Sequence, residues 1–387
     1  MATYTQALVL ADVQLGTHGL VSAADGLLLL NTAVRDVLSD IDLRSSKRQT
    51  ASSPNLFDEI YSYACPTSMK GNKIIDVEPQ TNRSVNYEFN LVTAEEFDIR
   101  KSADIGIVAF SDKSGTRKLK ISTSVDDDSS IVSSLDTITS SGTWTLYGDG
   151  TNLTTDNDNY VKGNGSINWD ISAAGGTTAG IYASDLDTFD LTDYIASGSV
   201  FVWTYVTSAT NLTNYIIRIG SSSSNYFTQT ITTTNESAAF VAGWNLLRFD
   251  FASTSETGTV DLDACDYCAI FMTKDAAKTS ETDYRFDHII LKRGEYHNVQ
   301  YYSKYGWQNS GGTWIENSTA TTDYINAESD EIKLFVLKGK QLASEFKGND
   351  ADSNRYFQQY EQAKVEYKRA YPSEAMLLTQ TYQDDLI

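Results

Sequence analysis

The chain has 387 residues, a formal net charge of −21, 41% hydrophobic residues and 11% aromatic residues. So acidic a protein is a poor partner for nucleic acid or anionic membranes, because Lys and Arg side chains drive those contacts. The longest run of Val, Leu and Ile alone is Leu27–Leu30, so we expect no membrane span. The N-terminus has no basic region followed by a long apolar core, so we expect no signal peptide.

Charge and proline content divide the chain into three segments. Residues 128–295 contain 8 basic and 21 acidic residues, a net charge of −13, and none of the four prolines. Residues 1–127 and residues 296–387 each carry a net charge of only −4. This pattern predicts that the middle segment is an inserted domain.

The first segment opens with a predicted helix. Ser22 can cap it, with Asp25 three residues later as a variant capping box. Its apolar positions follow three- and four-residue steps, at Leu27, Leu30, Val34, Val37, Leu38 and Ile41. A basic cluster of Arg44, Lys47 and Arg48 comes next, and short alternating runs then predict a small β-unit.

The middle segment is predicted to be almost entirely β. At least seven short runs such as "GSVFVWTYVTS" and "GWNLLRFDFAS" are bounded by turn residues, which favours a β-sandwich or jelly roll. Its tryptophans, which are candidates for stacking on a pyranose ring, are Trp144, Trp169, Trp203 and Trp244. Trp203 and Trp244 lie in apolar runs, which favours a core position instead. The turn "TTDNDNY" offers oxygen ligands for a structural calcium ion.

The third segment begins with the alternating strand "HNVQYYSKYGW" and turns helical from about Thr322. A second helix is predicted over residues 352–370, with Tyr356, Tyr360, Ala363 and Tyr367 on its buried side and Pro372 after its end. The tail then carries an apolar cluster at Met376, Leu377 and Leu378. This cluster fits either a segment that orders on a partner or a frayed terminus.

Catalytic motifs are not found in the sequence. It has no Gly-rich phosphate loop, no H-E-x-x-H and no G-x-S-x-G, and only three His. Cys265 and Cys268 form a C-x-x-C without a second pair, which favours a structural role over a metal or redox site. We therefore predict that the chain is not an enzyme, although a polysaccharide depolymerase that uses two Asp carboxylates remains an alternative.

The flanking segments resemble the head-to-tail adaptor proteins of tailed bacteriophages. The similarity lies in "NTAVRDVLSDIDLRSSKRQ", "LFDEIYSYACPTSMKGNKIIDVEPQ" and "YYSKYGWQNSGGTWIENSTATTDYIN", within residues 20–125 and 296–370. The matching positions are Tyr61, Tyr63, Pro66, Tyr301, Tyr302, Ser303, Lys304, Tyr305 and Trp314. The middle segment departs from this family and looks like an inserted carbohydrate-binding-module-type sandwich.

The resemblance implies a structural protein in the virion neck, assembled in the host bacterial cytoplasm. It implies a homo-oligomeric ring, usually a dodecamer, that contacts the portal protein and tail or nozzle proteins while DNA passes through its lumen. The C-terminal segment, with Met376, Leu377 and Leu378, would dock into the portal. Arg44, Lys47 and Arg48 would then face an acidic patch of a neighbouring subunit or of the portal, where complementary charge fixes the register. The alternatives are transient contacts with DNA phosphates beside the lumen, or a solvated helix end where cations oppose the macrodipole.

The predicted fold class is therefore α+β. Residues 1–127 and 296–387 would form a helical-bundle adaptor core with a small β-unit, and residues 128–295 an inserted, outward-projecting, jelly-roll-like all-β sandwich. The predicted function is a ring between portal and tail, without a cofactor except for the calcium ion considered above. The alternative function is a glycan- or receptor-binding module of a phage fibre or neck appendage, in which the sandwich binds a surface glycan.

Overall fold

The computed structural model of the chain describes residues 2–16, 21–50, 54–79, 90–93, 97, 106–111, 117–122, 129–173, 175–275, 277–278 and 280–372. The helices in these ranges are α1 (Gln6–Gly16), α2 (Ala23–Asp40), α3 (Ser329–Phe346) and α4 (Asp350–Ala370). Within the same ranges, no helix is long and apolar enough to cross a membrane.

The strands before the sandwich are short. They are β1 (Ala2–Thr5), β2 (Lys47–Gln49), β3 (Asn55–Leu56), β4 (Ser62–Ala64), β5 (Met69–Pro79), β6 (Asn90–Leu91), β7 (Gly106–Ser111) and β8 (Arg117–Ile121).

The sandwich strands follow in an unbroken series. They are β9 (Ser129–Ser133), β10 (Thr145–Gly148), β11 (Gly150–Asp156), β12 (Ser166–Ile171), β13 (Thr178–Ala183), β14 (Gly198–Val206), β15 (Leu212–Ser222), β16 (Asn225–Ile231), β17 (Gly243–Asp250), β18 (Ser255–Thr257), β19 (Tyr267–Lys274) and β20 (Tyr284–Arg293). The last strands are β21 (Glu295–Ser303), β22 (Trp307–Gln308), β23 (Trp314–Ile315) and β24 (Tyr324–Ala327).

Residues 129–293 form a sandwich of two six-stranded sheets, as the sequence predicts. Sheet I has the strand order β10-β13-β19-β15-β16-β18. Sheet II has the order β11-β12-β20-β14-β17, with β9 paired to β20. Alternate residues of both sheets point inward and form one buried apolar cluster, which includes Trp144 and Trp169.

A small β-unit packs on the outside of sheet II. It consists of β2, β3 and β5 paired to β21, and of a second sheet with the order β4-β8-β7-β6. Its buried side chains share one apolar cluster with Phe201, Leu246 and Ile290 of sheet II. The sandwich therefore does not project freely on this side, because the small β-unit covers the outer face of sheet II.

The two ends of the chain pack together around a third apolar core. β1 pairs antiparallel with β24, so the first residues lie beside the strand that precedes α3. One apolar cluster joins residues 9–43 to residues 307–367. The buried carboxylate of Glu331 adds polar contacts, because it accepts hydrogen bonds from the Ser45 N–H at 3.0 Å and the Tyr367 hydroxyl at 2.8 Å. The domain boundaries at residues 127 and 296 remain a prediction.

The predicted α+β class with a helical-bundle adaptor core is wrong. The described part of the chain is mostly β, with three four-stranded sheets besides the sandwich. Its four helices pack partly on strands, since Trp307, Ile325 and Ala327 belong to their apolar cluster. Helical stripes of 18 residues are visible in a sequence, whereas strands of two to four residues are too short to show alternation.

Candidate functional site

The outer face of sheet I presents side chains from five consecutive strands, with aromatic residues on β10, β13, β19 and β16 and an arginine on β15. Side chains alternate between the two faces of a strand, so Cys268, Ile270 and Met272 of β19 enter the core while the residues between them point outward. We call this surface the open face and define it by Tyr147, Tyr182, Arg218, Tyr226, Tyr267 and Phe271.

The open face is not covered by any described element outside the sandwich. Its apolar cluster contains residues of sheet I alone, with Tyr267, Ala269 and Phe271 buried beneath half-buried side chains. On sheet II, in contrast, the equivalent outer cluster includes residues of the small β-unit. The sandwich therefore has one aromatic outer face on which the small β-unit packs and one on which no described element outside the sandwich packs.

A glycine determines how the first pair of rings meets. Across three strands Tyr147 pairs with Gly180, and Gly180 pairs with Phe271. A Cβ atom on Gly180 would lie 2.7 Å from the Phe271 Cβ, so only glycine fits between the two aromatic residues. The Tyr147 ring lies over Phe271 with centroids 4.2 Å apart and planes at 14°. This stacking fixes the Tyr147 ring on the surface.

A second glycine repeats this arrangement four residues away along β19. Gly220 of β15 lies between Tyr267 and Tyr226 in the sheet register. The two tyrosine rings meet with their centroids 6.0 Å apart. Burial raises the pKa of Tyr267, and Arg218 opposes that rise. Tyr182 completes the face with an edge contact of 6.2 Å to Tyr147.

Arg218 lies among these rings. Its guanidinium carbon is 4.9 Å from the Tyr226 centroid and 5.1 Å from the Phe271 centroid, within the range of cation–π contact. Its Nη1 donates a long hydrogen bond of 3.5 Å to the Tyr147 hydroxyl. The open face thus combines flat apolar surface, hydroxyl groups and one positive charge.

The structure places the four predicted stacking tryptophans elsewhere. Trp144 and Trp169 are at most 2% exposed and lie in the sandwich core, so neither can stack on a ligand. Trp203 packs against the cluster under the small β-unit, and Trp244 makes an edge contact with Tyr205 on sheet II. The sequence does not single out the tyrosines of the open face, because they are four of the 23 tyrosines in the chain and only the sheet register brings them together.

The turn predicted to bind calcium has its first carboxylate engaged by protein groups. Asp156 accepts hydrogen bonds from the N–H of Asp158 at 2.8 Å and pairs with the Arg285 guanidinium at 2.7 Å. Burial alone would raise the pKa of Asp156, but the hydrogen bonds from Asp158, Arg285 and Asn159 lower it to about 2. The described residues contain no group of three or more His, Cys, Asp or Glu arranged for a metal ion. Calcium remains a prediction from sequence.

The C-x-x-C motif lies inside the sandwich. Cys265 and Cys268 are both buried, and burial raises the pKa of each thiol to about 12. A thiol with so high a pKa is neither a nucleophile nor a ready metal ligand at neutral pH.

The three basic residues that the sequence predicts as partner contacts have different environments in the structure. Arg44 is exposed, with its guanidinium 5.1 Å from the Tyr371 ring, and Lys47 is half-buried. Arg48 donates to the carbonyl oxygens of Ser45 and Lys47 at 2.7 Å and lies 3.1 Å from the Trp314 centroid. Burial lowers the pKa of Arg48 to about 10. Arg48 is thus part of the packing inside the chain.

The remaining predicted contacts, at Met376, Leu377 and Leu378, lie outside the described residues. A partner-contact role for any of the six residues stays a prediction.

Comparisons with known proteins give no family. No family model matches the sequence, and no curated protein matches it. Among solved structures, a family 30 carbohydrate-binding module of a Clostridium thermocellum cellulosomal cellulase is similar at 13% identity, over 43% of this chain and 94% of that one, with a TM-score of 0.27. The module CtCBM11 is similar at 15% identity, over 44% of this chain and 98% of that one, with a TM-score of 0.31. At these values the similarity assigns no function.

Proposed function

We propose that the chain binds a glycan on the open face. The observation that carries this proposal is the row of tyrosine rings and Arg218 on a sheet surface that no described element covers. Aromatic faces carry partial negative charge, and the C–H groups on one side of a sugar ring carry partial positive charge, so the two surfaces attract each other. Tyrosine hydroxyls next to the rings can bind the sugar hydroxyls.

The packing under the rings supports binding as well. Tyr147 is fixed by its stack on Phe271, and Arg218 is held between Phe271 and Tyr226. Side chains that are ordered before the ligand arrives lose little conformational entropy on binding. A flat, preformed surface of this kind suits an extended polysaccharide chain better than a small molecule, because small molecules bind in concave pockets.

A glycan array with the full chain tests the proposal. We expect binding to a polysaccharide, and we expect Tyr147→Ala to weaken it about tenfold or more, as for the loss of a central aromatic contact. Tyr160→Ala is the matched control, because Tyr160 is 42% exposed and lies outside the open face. Full binding by the Tyr147 variant, or no binding to any glycan, would overturn the proposal.

We further propose a location in the neck of a virion, between portal and tail. This proposal rests on the sequence resemblance and is compatible with the interior that the two chain ends share. Native mass spectrometry of the chain mixed with portal protein tests it. A ring-sized complex is expected, and monomers beside a free portal would contradict the location.

A further inference from the structure

The basic side chains of the sandwich are mostly neutralised by acidic partners. Residues 128–295 contain eight basic side chains, and six of them lie within 4 Å of a carboxylate oxygen, namely Lys162, Arg248, Lys274, Lys278, Arg285 and Lys292. This pairing is expected in a segment whose net charge is −13. A basic side chain that stays unpaired here needs an explanation.

Arg218 is such a side chain. Among the described residues no carboxylate lies within ion-pair distance of it, and its buried Nε has no hydrogen-bond partner. Its neighbours are aromatic rings and the hydroxyls of Tyr147 and Tyr267. A guanidinium has five N–H donors, so Arg218 keeps donors for a further acceptor.

Arg285 on sheet II is a useful comparison. It also lies over an aromatic ring, 4.9 Å from the centroid of Tyr205. Unlike Arg218, it pairs with Asp156 at 2.7 Å and approaches Asp283 at 3.7 Å. The described residues thus supply carboxylates to an aromatic-stacked arginine on sheet II and none to the one on sheet I.

The other outward-facing positions of the open face also lack acidic side chains. None of the residues that alternate outward in β10, β13, β19, β15 and β16 is acidic, in a chain with 51 Asp and Glu residues. Their polar groups are mainly Thr and Tyr hydroxyls, which donate hydrogen bonds to anions and to sugars alike. A surface that excludes carboxylates around an unpaired guanidinium has the chemistry of an anion site.

We propose that the glycan bound by the open face is acidic, and that Arg218 binds its carboxylate or sulfate group. This inference rests on the proposed glycan binding and adds the class of ligand. Arginine binds both groups through two parallel N–H donors, and such charge-assisted bonds are stronger than those to a neutral hydroxyl. The net charge of −21 repels a polyanion from a distance, but salt at about 0.15 M screens that repulsion beyond about 8 Å.

Chemically matched polysaccharides test the ligand class. The probes are polygalacturonate and its carboxyl-reduced form, and chondroitin sulfate and its desulfated, carboxyl-reduced form, each measured with the full chain by affinity electrophoresis. We expect at least one acidic form to bind about tenfold more tightly than its neutral counterpart, the factor that one charge-assisted contact gives. Arg218→Gln should remove this preference, and Arg218→Lys should retain much of it.

The controls separate this inference from the proposed function. Both variants are first checked for an unchanged urea midpoint, and the lysine variant keeps the test valid if the glutamine variant does not fold. Equal binding of acidic and neutral forms, unchanged in Arg218→Gln, would overturn the acidic ligand and leave glycan binding intact. No binding to any probe or to any glycan on the array would overturn both proposals.

Discussion

The two outer faces of the sandwich are both aromatic, yet they have opposite environments. On sheet II, Phe201 and its neighbours are buried by the small β-unit, and Phe57 of that unit meets the Phe201 ring at 4.9 Å. On sheet I, Tyr147 stacks on Phe271 and Tyr226 meets Tyr267, both residues of β19, while the Tyr147 and Tyr226 rings remain half-exposed. Phenylalanine and aliphatic residues dominate the covered face, whereas the open face uses tyrosine, whose hydroxyl tolerates water.

Because of this difference, we expect aromatic residues of the covered face to contribute to stability and those of the open face to contribute to binding. An aromatic residue under a cover contributes by apolar burial, so its removal leaves a cavity. An aromatic residue on the open face has less apolar area to lose, and its value lies in what it can contact from solvent. Substitutions on the two sheets test this separation.

Phe57→Ala should cause the largest loss of stability. Phe57 is fully buried between Phe201 and the Arg248 guanidinium, which is 4.9 Å from its ring. Truncation of a buried Phe costs about 3 to 5 kcal/mol of unfolding free energy. Urea unfolding followed by circular dichroism measures it, and a loss below about 1 kcal/mol would show that the cover contributes little.

Tyr147→Ala should reduce the unfolding free energy only slightly but weaken glycan binding strongly. The stack on Phe271 is worth about 1 kcal/mol in unfolding free energy, which is far less than the cost at Phe57. Its glycan affinity should nevertheless fall, as described above. A stability loss as large as that of Phe57→Ala would remove the distinction between the two faces.

Acid should weaken the ion pair on sheet II. The folded-state pKa of Asp156 is lowered to about 2, below its unfolded value of 3.8. The contribution of Asp156 is therefore complete above pH 5 and is lost as pH falls from about 5 to about 2. At neutral pH it is worth about 1 to 2 kcal/mol, after allowance for solvent screening.

The matched measurement for this pair is urea unfolding of the native chain and of Asp156→Asn across that pH range. We expect the native chain to be more stable at pH 7 and the difference to shrink towards pH 2. A difference that stays constant with pH would contradict the assigned role of the Asp156 charge.

Lys162→Ala should have the smallest effect. Lys162 of the sandwich pairs with Glu59 of the small β-unit at 2.6 Å, but the two side chains are 40% and 55% exposed. Exposed ion pairs contribute about 0 to 1 kcal/mol, and salt screens them. The same urea experiment measures the change. A loss comparable with that of Phe57→Ala would mean that charge, rather than apolar burial, holds the cover in place.

Much of the chain's local structure could be predicted from its sequence. The capping of α2 by Ser22 and the buried tyrosines of α4 follow from three- and four-residue spacing, and both are observed. The sequence does not reveal helix α1, because its apolar residues are spread around the helix, with Leu8 and Leu15 exposed, and no single apolar stripe marks it.

The open face was not predictable by the same means. In "YCAIFMTK" both sets of alternate residues are apolar, so the strand resembles one that is buried on both faces. Whether Phe271 meets Tyr147 depends on Gly180 lying between them in the sheet register, 91 residues before Phe271 in the chain. The cover of sheet II likewise depends on contacts between distant segments.

Hydroxyl-radical footprinting of the chain with a polysaccharide that it binds shows whether the glycan lies on the open face. We expect the ligand to lower oxidation of Tyr147, Tyr182 and Tyr226 on the open face and to leave Tyr205 on sheet II and Tyr160 unchanged. Protection at Tyr205 or Tyr160, with the three open-face tyrosines oxidised as fast as in the free chain, would contradict glycan binding on the open face.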